Sequence, residues 1–238
     1  MAEPSQQASR YAIYFAPAPQ SPWWRFGTGL LAPQANADGS LSAFLAHAGI
    51  DPSTWRSMAA NARRYGFHAT LKAPFRLTSG ATLPELMERI SALAASLRAV
   101  ALGNLEPAAF PGFVALAPLA APPALTELAA RCVIELDDLR APALPCDIAR
   151  RRPERLDRRG LELLHAYGYP LVLERFRFHM TLAGCERADL AERLIQALSP
   201  LTAALNREAP ARLDRLCLFE EPARGAAFQR RRDWVLSD

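Results

Sequence analysis

The chain carries the stretch Phe-His-Ala-Thr-Leu at residues 67–71 and the stretch Phe-His-Met-Thr-Leu at residues 178–182. Both stretches follow the pattern Phe-His-x-Thr-Leu, and an arginine-rich segment precedes each of them. One copy falls near the middle of each half of the 238-residue chain. A pattern that recurs with its histidine at the same place predicts two matching strands that contribute to one site.

Alternation along each copy predicts an extended strand with one polar face. Successive side chains of a strand point to opposite faces of the sheet, so His68 and Thr70 share one face and the apolar positions share the other. The second copy places His179 and Thr181 on its polar face in the same way. Neither copy shows the spacing of apolar residues that is typical of a helix. Each strand therefore offers one imidazole and one hydroxyl, two residues apart.

The pairing of the two motifs is what favours a functional interpretation. A single His-x-Thr stretch is usually an ordinary surface or core feature, but this chain has only four histidines and two of them share one pattern. Two imidazoles across a cleft fit proton transfer at phosphorus, because a histidine pKa of about 6.5 lets one ring accept a proton while the other donates. We therefore expect His68 and His179 to be catalytic, without assigning which is the base and which is the acid.

Four further side chains are expected to bind the phosphate group of the substrate. Thr70 and Thr181 are predicted to donate neutral hydrogen bonds to its oxygens. By the same alternation Lys72 lies beyond the first threonine and Arg177 lies before the second histidine. Both are predicted to supply charged donors.

Other chemistries lack their sequence signatures. The patterns Gly-x-x-x-x-Gly-Lys, Gly-x-Gly-x-x-Gly, His-Glu-x-x-His and Gly-x-Ser-x-Gly do not occur, and the four cysteines form no Cys-x-x-Cys pair. Two histidines with two threonines are a poor set of metal ligands, since no carboxylate shares their faces. The sequence therefore predicts a site that uses neither a metal nor a cofactor.

Several segments resemble a known family. They are the two motifs with their flanks at 65–75 and 176–182, and the segments at 10–17, 140–144, 149–153 and 168–170. The paired His-x-Thr motifs resemble the two-histidine (2H) phosphoesterase superfamily, which includes RNA 2′,3′-cyclic phosphodiesterases. The flanking segments resemble the DUF1045 group of phosphonate-metabolism proteins within it. The resemblance extends over nearly the whole chain, from about residue 10 to residue 236.

The resemblance implies an α+β fold with two lobes. Two mainly antiparallel sheets would face a central cleft, with helices on the outside. The whole chain, 1–238, would then be one domain, with the first motif in a lobe at about 50–120 and the second in a lobe at about 150–238. A predicted strand at 11–16 would belong to the core.

The resemblance also implies a reaction. The expected protein is a metal-independent phosphodiesterase, a phosphoric diester hydrolase acting on a small cyclic phosphodiester in phosphonate metabolism. Its expected substrate is a cyclic sugar phosphate or nucleotide. Two alternatives stay open, an RNA 2′,3′-cyclic phosphodiesterase and a protein that binds a phosphate ester without catalysis.

Composition is that of a globular protein outside the membrane. Half of the residues are hydrophobic and 22% are charged, and no apolar run is long enough to span a bilayer. Residues 1–9 are polar and predict no secretory signal, so we expect a cytoplasmic protein without a membrane partner. RNA stays open as a partner, and the oligomeric state is not predicted. The net charge of +4 favours anionic ligands, and the arginine runs at 150–152 and 230–232 are either solvated surfaces or a rim that attracts phosphorylated ligands.

The remaining patterns predict helices and strands in mixed order. Predicted strands lie at 11–16, 67–71, 100–105, 113–117, 178–182, 213–219 and 228–236. Predicted helices lie at 40–49, 83–98, 122–138, 153–168 and 188–205, the last of them bent or broken at Pro200. Residues 22–27, Pro-Trp-Trp-Arg-Phe-Gly, are predicted to form a loop.

Overall fold

The computed structural model describes residues 9–32 and 39–238, which form eight α-helices and nine strands. The strands are β1 (Arg10–Phe15), β2 (Ala69–Phe75), β3 (Val100–Gly103), β4 (Leu105–Phe110), β5 (Phe113–Pro118), β6 (Met180–Gly184), β7 (Ala211–Leu213), β8 (Arg215–Glu221) and β9 (Gln229–Val235). The helices are α1 (Pro22–Leu31), α2 (Ser40–Ala48), α3 (Pro52–Tyr65), α4 (Leu83–Ala95), α5 (Pro123–Ile134), α6 (Pro145–Ala149), α7 (Arg158–Tyr167) and α8 (Ala188–Glu208). Residues 1–8, which make up most of the segment predicted to hold no secretory signal, lie outside the described residues.

Seven strands form one antiparallel sheet in the order β4-β5-β6-β2-β1-β8-β9, and β3 pairs with β7 in a small second sheet. The predicted α+β class is confirmed. The structure differs from the expected pair of facing sheets, because the motif strands β2 and β6 are neighbours in the large sheet. They join a four-strand part (β2, β1, β8, β9) to a three-strand part (β6, β5, β4). The four-strand part combines β2, from the first half of the chain, with β8 and β9, from its C-terminal end.

The large sheet buries one of its faces under helices. Ile13, Leu71 and Met180 belong to this core and are at most 2% exposed. Helix α3 packs against β6, and α8 packs against β4 and β5. The opposite face carries a second, smaller cluster that includes Tyr14 and Phe219. The polar side chains of the two motifs lie on this second face, because they alternate with the core residues.

Helix α1 replaces the loop that the sequence predicts at 22–27. The side chain of Ser21 accepts a hydrogen bond from the backbone N–H of Trp24 at 3.1 Å, and Pro22 occupies the first turn. A serine cap followed by proline is a typical helix start. Farther along the chain, α8 passes through Pro200 as one helix, so the predicted break does not occur. The helix predicted at 153–168 begins as a short 3₁₀ turn, and α7 starts only at Arg158.

Gly27 of α1 lies directly against the buried ring of Phe67, the residue before His68. A Cβ atom added at Gly27 would lie 2.1 Å from Cδ1 of that ring. Gly27→Ala is therefore expected to lower the free energy of unfolding by about 1–3 kcal/mol through overpacking. Alanine would otherwise favour the helix by about 1 kcal/mol relative to glycine. Urea unfolding of the two proteins measures the change.

A double-mutant cycle with Phe67→Ala provides the control for Gly27→Ala. If contact with the ring causes the loss, Gly27→Ala should cost much less when the ring is absent. An equal cost in both backgrounds would show that the ring of Phe67 is not responsible.

Candidate functional site

His68 lies one residue before β2, at the turn that leaves α3. Gly66 makes this turn with a positive φ of 78°, a conformation that favours glycine. Nδ1 of His68 lies 2.8 Å from the carbonyl oxygen of Gly66. Because a carbonyl can only accept, Nδ1 carries the proton and donates it. Nε2 therefore holds the lone pair of the neutral ring, and the hydroxyl of Thr70, 3.2 Å away, donates to it.

His179 lies one residue before β6 and repeats this arrangement. Its Nδ1 donates to the carbonyl oxygen of Arg177 at 2.7 Å, so Nε2 again holds the lone pair. Its ring lies beside Phe110 and Phe113, with centroid separations of 5.5 and 5.3 Å. Both motifs thus select the same tautomer through the same contact, a hydrogen bond to the carbonyl two residues earlier.

The register of β2 and β6 brings the two motifs onto one patch of the sheet. The antiparallel pair that joins these strands consists of Ala69 and Met180. One residue outward in each direction, His68 comes opposite Thr181 and Thr70 comes opposite His179. The Cβ atoms of such cross-strand pairs are about 5 Å apart. All four side chains leave the sheet on the face opposite the core.

A cleft of about 210 Å³ opens on this face, and we call it the histidine cleft. The residues that line it include Arg10, Tyr14, His68, Thr70, Arg151 and Thr181. The ring of His68 stacks on that of Tyr14 with centroids 3.8 Å apart. His179 lies on the neighbouring strand, against the two phenylalanines. None of the described residues that line the cleft is an aspartate or a glutamate, so its charged groups are cations.

Burial lowers the pKa of both imidazoles. Desolvation takes the pKa of His68 from 6.5 to about 4, against the hydrogen bond to Gly66 and with a smaller contribution from the like charge of His179. Desolvation also lowers the pKa of His179. Both rings are therefore neutral near pH 7, and each presents an accepting Nε2. An anion bound beside them would raise both pKa values, because it stabilises the charged ring.

Lys72 lies in a buried ion pair and not in the histidine cleft. Its Nζ lies 2.8 Å from Oδ1 of Asp137 and donates to the carbonyl oxygen of Val133 at 3.0 Å. Arg140 donates to both oxygens of the same carboxylate. Helix α5 packs over β2 here, so the side chain meets the helix end before it can reach a ligand. Its position does not support the predicted role as a phosphate donor.

The other predicted cations divide between the cleft and the surface. The side chain of Arg177 is exposed, and its backbone carbonyl holds the ring of His179. Arg151 lines the histidine cleft. Arg230 and Arg231 instead form ion pairs with carboxylates of β9 and β8.

Two residues of β1 also belong to the site, although the sequence patterns did not predict them. Tyr14 faces Thr70 across the β1–β2 pair and stacks on the first imidazole. Arg10 lines the same cleft and donates from Nε to Oε2 of Glu221 at 2.5 Å. Strand β1 thus contributes an aromatic surface and a guanidinium to the cleft.

The described residues also bear on metals and membranes. Within 9–32 and 39–238, no three His, Cys, Asp or Glu side chains are grouped so that they could hold a metal ion. Among the described helices, none is both long and apolar enough to cross a bilayer. The charged side chains that line the cleft are Arg10 and Arg151.

Comparison with protein families identifies the chain. Residues 70–229 match the family described as "Protein of unknown function (DUF1045)". The chain belongs to this family. The match includes Thr70, His179 and Thr181, and it begins two residues after His68. The predicted membership of the DUF1045 group is thereby confirmed.

Two curated relatives of this DUF1045 protein carry the name of an enzyme. Each is named ribose 1,5-bisphosphate phosphokinase PhnN, one from Janthinobacterium sp. (strain Marseille) and the other from Laribacter hongkongensis (strain HLHK9). Each is 35% identical over 227 residues, which cover 94% and 92% of the chain respectively. The same region covers 50% of either relative, so the chain spans about half the length of the curated relatives it matches.

These names overturn the predicted reaction. A phosphokinase transfers a phosphoryl group, whereas the motifs led to a phosphodiesterase, a phosphoric diester hydrolase. The predicted function, enzyme class and hydrolase vocabulary are therefore wrong by this comparison. The expected link to phosphonate metabolism agrees with the relatives, and so does a small phosphorylated substrate. Imidazoles and hydroxyls suit a phosphate group in either reaction, so the motifs indicate the ligand group better than the bond that changes.

Proposed function

We propose that this DUF1045 protein binds a small phosphorylated sugar in the histidine cleft and acts in phosphonate metabolism. The sugar is of the class that the relatives' name describes, a ribose phosphate. The observation that carries the proposal is the joint position of His68, Thr70 and Thr181 on one cleft that carries arginines and, among the described residues, no carboxylate.

The four motif side chains supply the hydrogen bonds that a phosphate group needs. The hydroxyls of Thr70 and Thr181 donate to its oxygens as neutral groups. Nε2 of His68 and of His179 accepts a proton as the anion binds and then donates a charge-assisted hydrogen bond. The lone pair of a ring that stays neutral can instead accept from a sugar hydroxyl. The site therefore fits a ligand that presents both phosphate oxygens and hydroxyl groups.

Phosphokinase activity toward ribose 1,5-bisphosphate is a second candidate. It is favoured by the 35% identity to enzymes of that name over 94% of the chain. Release of ADP from ATP and Mg²⁺ in the presence of ribose 1,5-bisphosphate would support it. The sequence contains no Gly-x-x-x-x-Gly-Lys nucleotide loop, so the first proposal assigns only the sugar-phosphate side of such a reaction to the histidine cleft.

We also propose that the chain forms one two-lobed unit related to the two-histidine superfamily. Two observations support this placement. In each motif, Nδ1 of the histidine donates a hydrogen bond to the carbonyl oxygen two residues earlier. In addition, a single core cluster contains residues from Tyr11 to Leu236.

Removing one imidazole is expected to weaken binding of ribose 5-phosphate by about 10- to 100-fold, because a hydrogen bond to a charged group contributes roughly 1.5–3 kcal/mol. His68→Asn is the sharpest variant, since its amide can still donate to Gly66 but lacks an atom at the Nε2 position. His68→Gln instead places a donor near Nε2 and should retain more affinity. Isothermal titration calorimetry with ribose 5-phosphate measures the dissociation constant of each protein.

His165→Asn on α7 is the matched control, because this histidine is exposed and lies outside the cleft. It should bind ribose 5-phosphate like the unaltered protein. Unphosphorylated ribose should bind far more weakly than ribose 5-phosphate. Equal binding of ribose and ribose 5-phosphate, or unchanged binding by both His68→Asn and His179→Asn, would refute the proposal.

A further inference from the structure

The histidine cleft holds a buried guanidinium that the phosphate-binding motifs do not use. Arg10 is 9% exposed and lines the cleft. Its Nε donates to Glu221, while its Nη2 is buried and has no hydrogen-bond partner among the described residues. A buried N–H group without an acceptor costs free energy, and a guanidinium cannot lower this cost by losing its proton. A ligand oxygen bound in the cleft could supply the hydrogen-bond acceptor that Nη2 of Arg10 lacks.

The local charge balance also favours an anion. Glu221 is 1% exposed and pairs with two guanidinium groups, those of Arg10 and Arg64. One carboxylate between two cations leaves these three groups with an excess of one positive charge. Asp147 also acts on Arg10, but it is itself paired with Arg76. The backbone N–H of Gly225 donates to the same carboxylate and uses a further part of its accepting capacity. Glu221 therefore fixes the position of Arg10, but its single negative charge does not neutralise both Arg10 and Arg64.

Arg151 adds a second cation to the same cleft. It lies just beyond α6, and its guanidinium carbon lies 4.5 Å from the centre of the Tyr169 ring. Tyr169 also lines the cleft. A cation over an aromatic face is held in orientation by the ring quadrupole. A guanidinium held in this way offers a planar pair of donors that matches a phosphate.

Arg10 lies on β1 at a distance along the strand from the position that faces the first motif threonine. Arg10 and Tyr14 are four residues apart on β1, about 13 Å at 3.3 Å per residue, and Tyr14 is the residue that faces Thr70. This is the spacing of the backbone positions, and a phosphate with a hydrogen bond of about 2.9 Å on either side is shorter. A ligand with two anionic groups separated by a spacer can contact both ends of the cleft.

We propose that Arg10 and Arg151 form a second phosphate subsite, so that the cleft takes a sugar phosphorylated at two positions. One phosphate contacts the motif histidines and threonines, and the other contacts the two arginines. This inference rests on the proposed function, because it adds a second subsite to the cleft that binds the first phosphate. Tyr14 and Tyr65 also line the cleft and supply an aromatic surface for the sugar.

The test compares ribose 5-phosphate with ribose 1,5-bisphosphate by calorimetry. We expect the unaltered protein to bind the bisphosphate at least about tenfold more tightly, which corresponds to roughly one charge-assisted contact. Arg151→Met retains the aliphatic stem on Tyr169 and should weaken binding of the bisphosphate at least about tenfold more than binding of the monophosphate, so that the preference is lost. Arg150→Met is the matched control, since it removes the same charge from the exposed neighbour and should keep the preference. Arg10→Lys retains a charge for Glu221 but lacks Nη2, and it too should reduce the preference.

The outcomes separate the two proposals. If the unaltered protein does not bind ribose 5-phosphate, the proposed function fails. If ribose 5-phosphate binds but the unaltered protein does not prefer the bisphosphate, only the second subsite is refuted. The second subsite is also refuted if Arg150→Met and Arg151→Met reduce the preference for the bisphosphate equally. Thermal unfolding of each variant checks the fold, and Arg151→Met decides the matter if Arg10→Lys does not fold.

Discussion

Replacing Asp137 with alanine is expected to lower the free energy of unfolding by about 3–5 kcal/mol, because it leaves a buried ammonium group without its counter-charge. Lys72 is 3% exposed, and its Nζ lies 2.8 Å from the Asp137 carboxylate. Burial by itself lowers the pKa of Lys72, and the hydrogen bond and charge of Asp137 oppose that effect. Arg140 would lose the same carboxylate. Urea unfolding of the two proteins measures the loss.

The neighbouring Asp138 provides a matched control. It also forms an ion pair, with Arg89 at 2.9 Å, but both side chains are largely exposed. Asp138→Ala should therefore change the free energy of unfolding by at most about 1 kcal/mol. The double variant Lys72→Met with Asp137→Ala should recover much of the lost stability, because it removes the unpaired buried charge. Equal losses from the two single aspartate variants would contradict this account.

The position of Lys72 shows how far alternation along a strand can be used. Alternation assigns faces only while a strand is regular. The register of β1 against β2 shifts between Thr70 and Lys72, so that Lys72 comes opposite the core residue Ile13, whereas Thr70 comes opposite Tyr14. Helix α5 covers the end of β2, and its C-terminal carbonyl and the following Asp137 accept the lysine. The contact joins residues more than sixty positions apart in the chain, which no local pattern reports.

The same limit explains why Arg10 and Tyr14 were not identified. Their spacing along β1 places them on one face, and the sequence shows this directly. What makes them part of the site is the pairing of β1 with β2, which sets Tyr14 opposite Thr70. The neighbours of a strand depend on the packing of the whole sheet, and a local pattern does not specify them. The pairing of β2 with β6 likewise depends on the packing of the whole sheet and is not specified by a local pattern.

Helix α1 was missed for a different reason. Ser21 and Pro22 are a readable start signal, but the adjacent tryptophans were interpreted as an aromatic loop. Trp23 is buried, and its Nε1 donates to the carbonyl oxygen of Ala209 at 2.7 Å. The aromatic residues therefore pack a helix against the core. Capping residues would have been a better guide here than residue size.

Anion binding is expected to tighten as the pH falls, and this is the strongest test of the imidazole states. In the free protein burial lowers the pKa of His68 to about 4 and lowers that of His179 as well, so both rings are neutral at pH 7. Each Nδ1 proton is already donated to a carbonyl, so neither neutral ring can donate to an anionic oxygen through Nε2, and Nε2 of His68 accepts from Thr70 instead. An anion therefore binds with uptake of a proton, because it raises the pKa of the ring it contacts.

The sign and size follow from linkage. Where the complex holds more protons than the free protein, lowering the pH favours the complex, by about tenfold in affinity per pH unit for each proton taken up. This applies between the pKa of the bound ring and that of the free ring, which for His68 is about 4. The other groups around His68 do not interfere. Despite desolvation, the pKa of Arg10 is raised by its hydrogen bond to Glu221, and burial raises the pKa of Tyr14, so Arg10 stays charged and Tyr14 stays neutral.

Inorganic sulfate is the appropriate probe, because phosphate monoesters titrate near pH 6 and would add their own proton. Calorimetry between pH 5 and 8, in two buffers of different ionisation enthalpy, gives both the dissociation constant and the number of protons taken up. The dissociation constant of the unaltered protein should fall by about tenfold or more per pH unit toward pH 5. His68→Asn should lower the proton count by about one at pH 5, and His165→Asn should leave it unchanged. A sulfate affinity that does not depend on pH, or that rises toward alkaline pH, would show that the imidazoles do not bind the anion through Nε2.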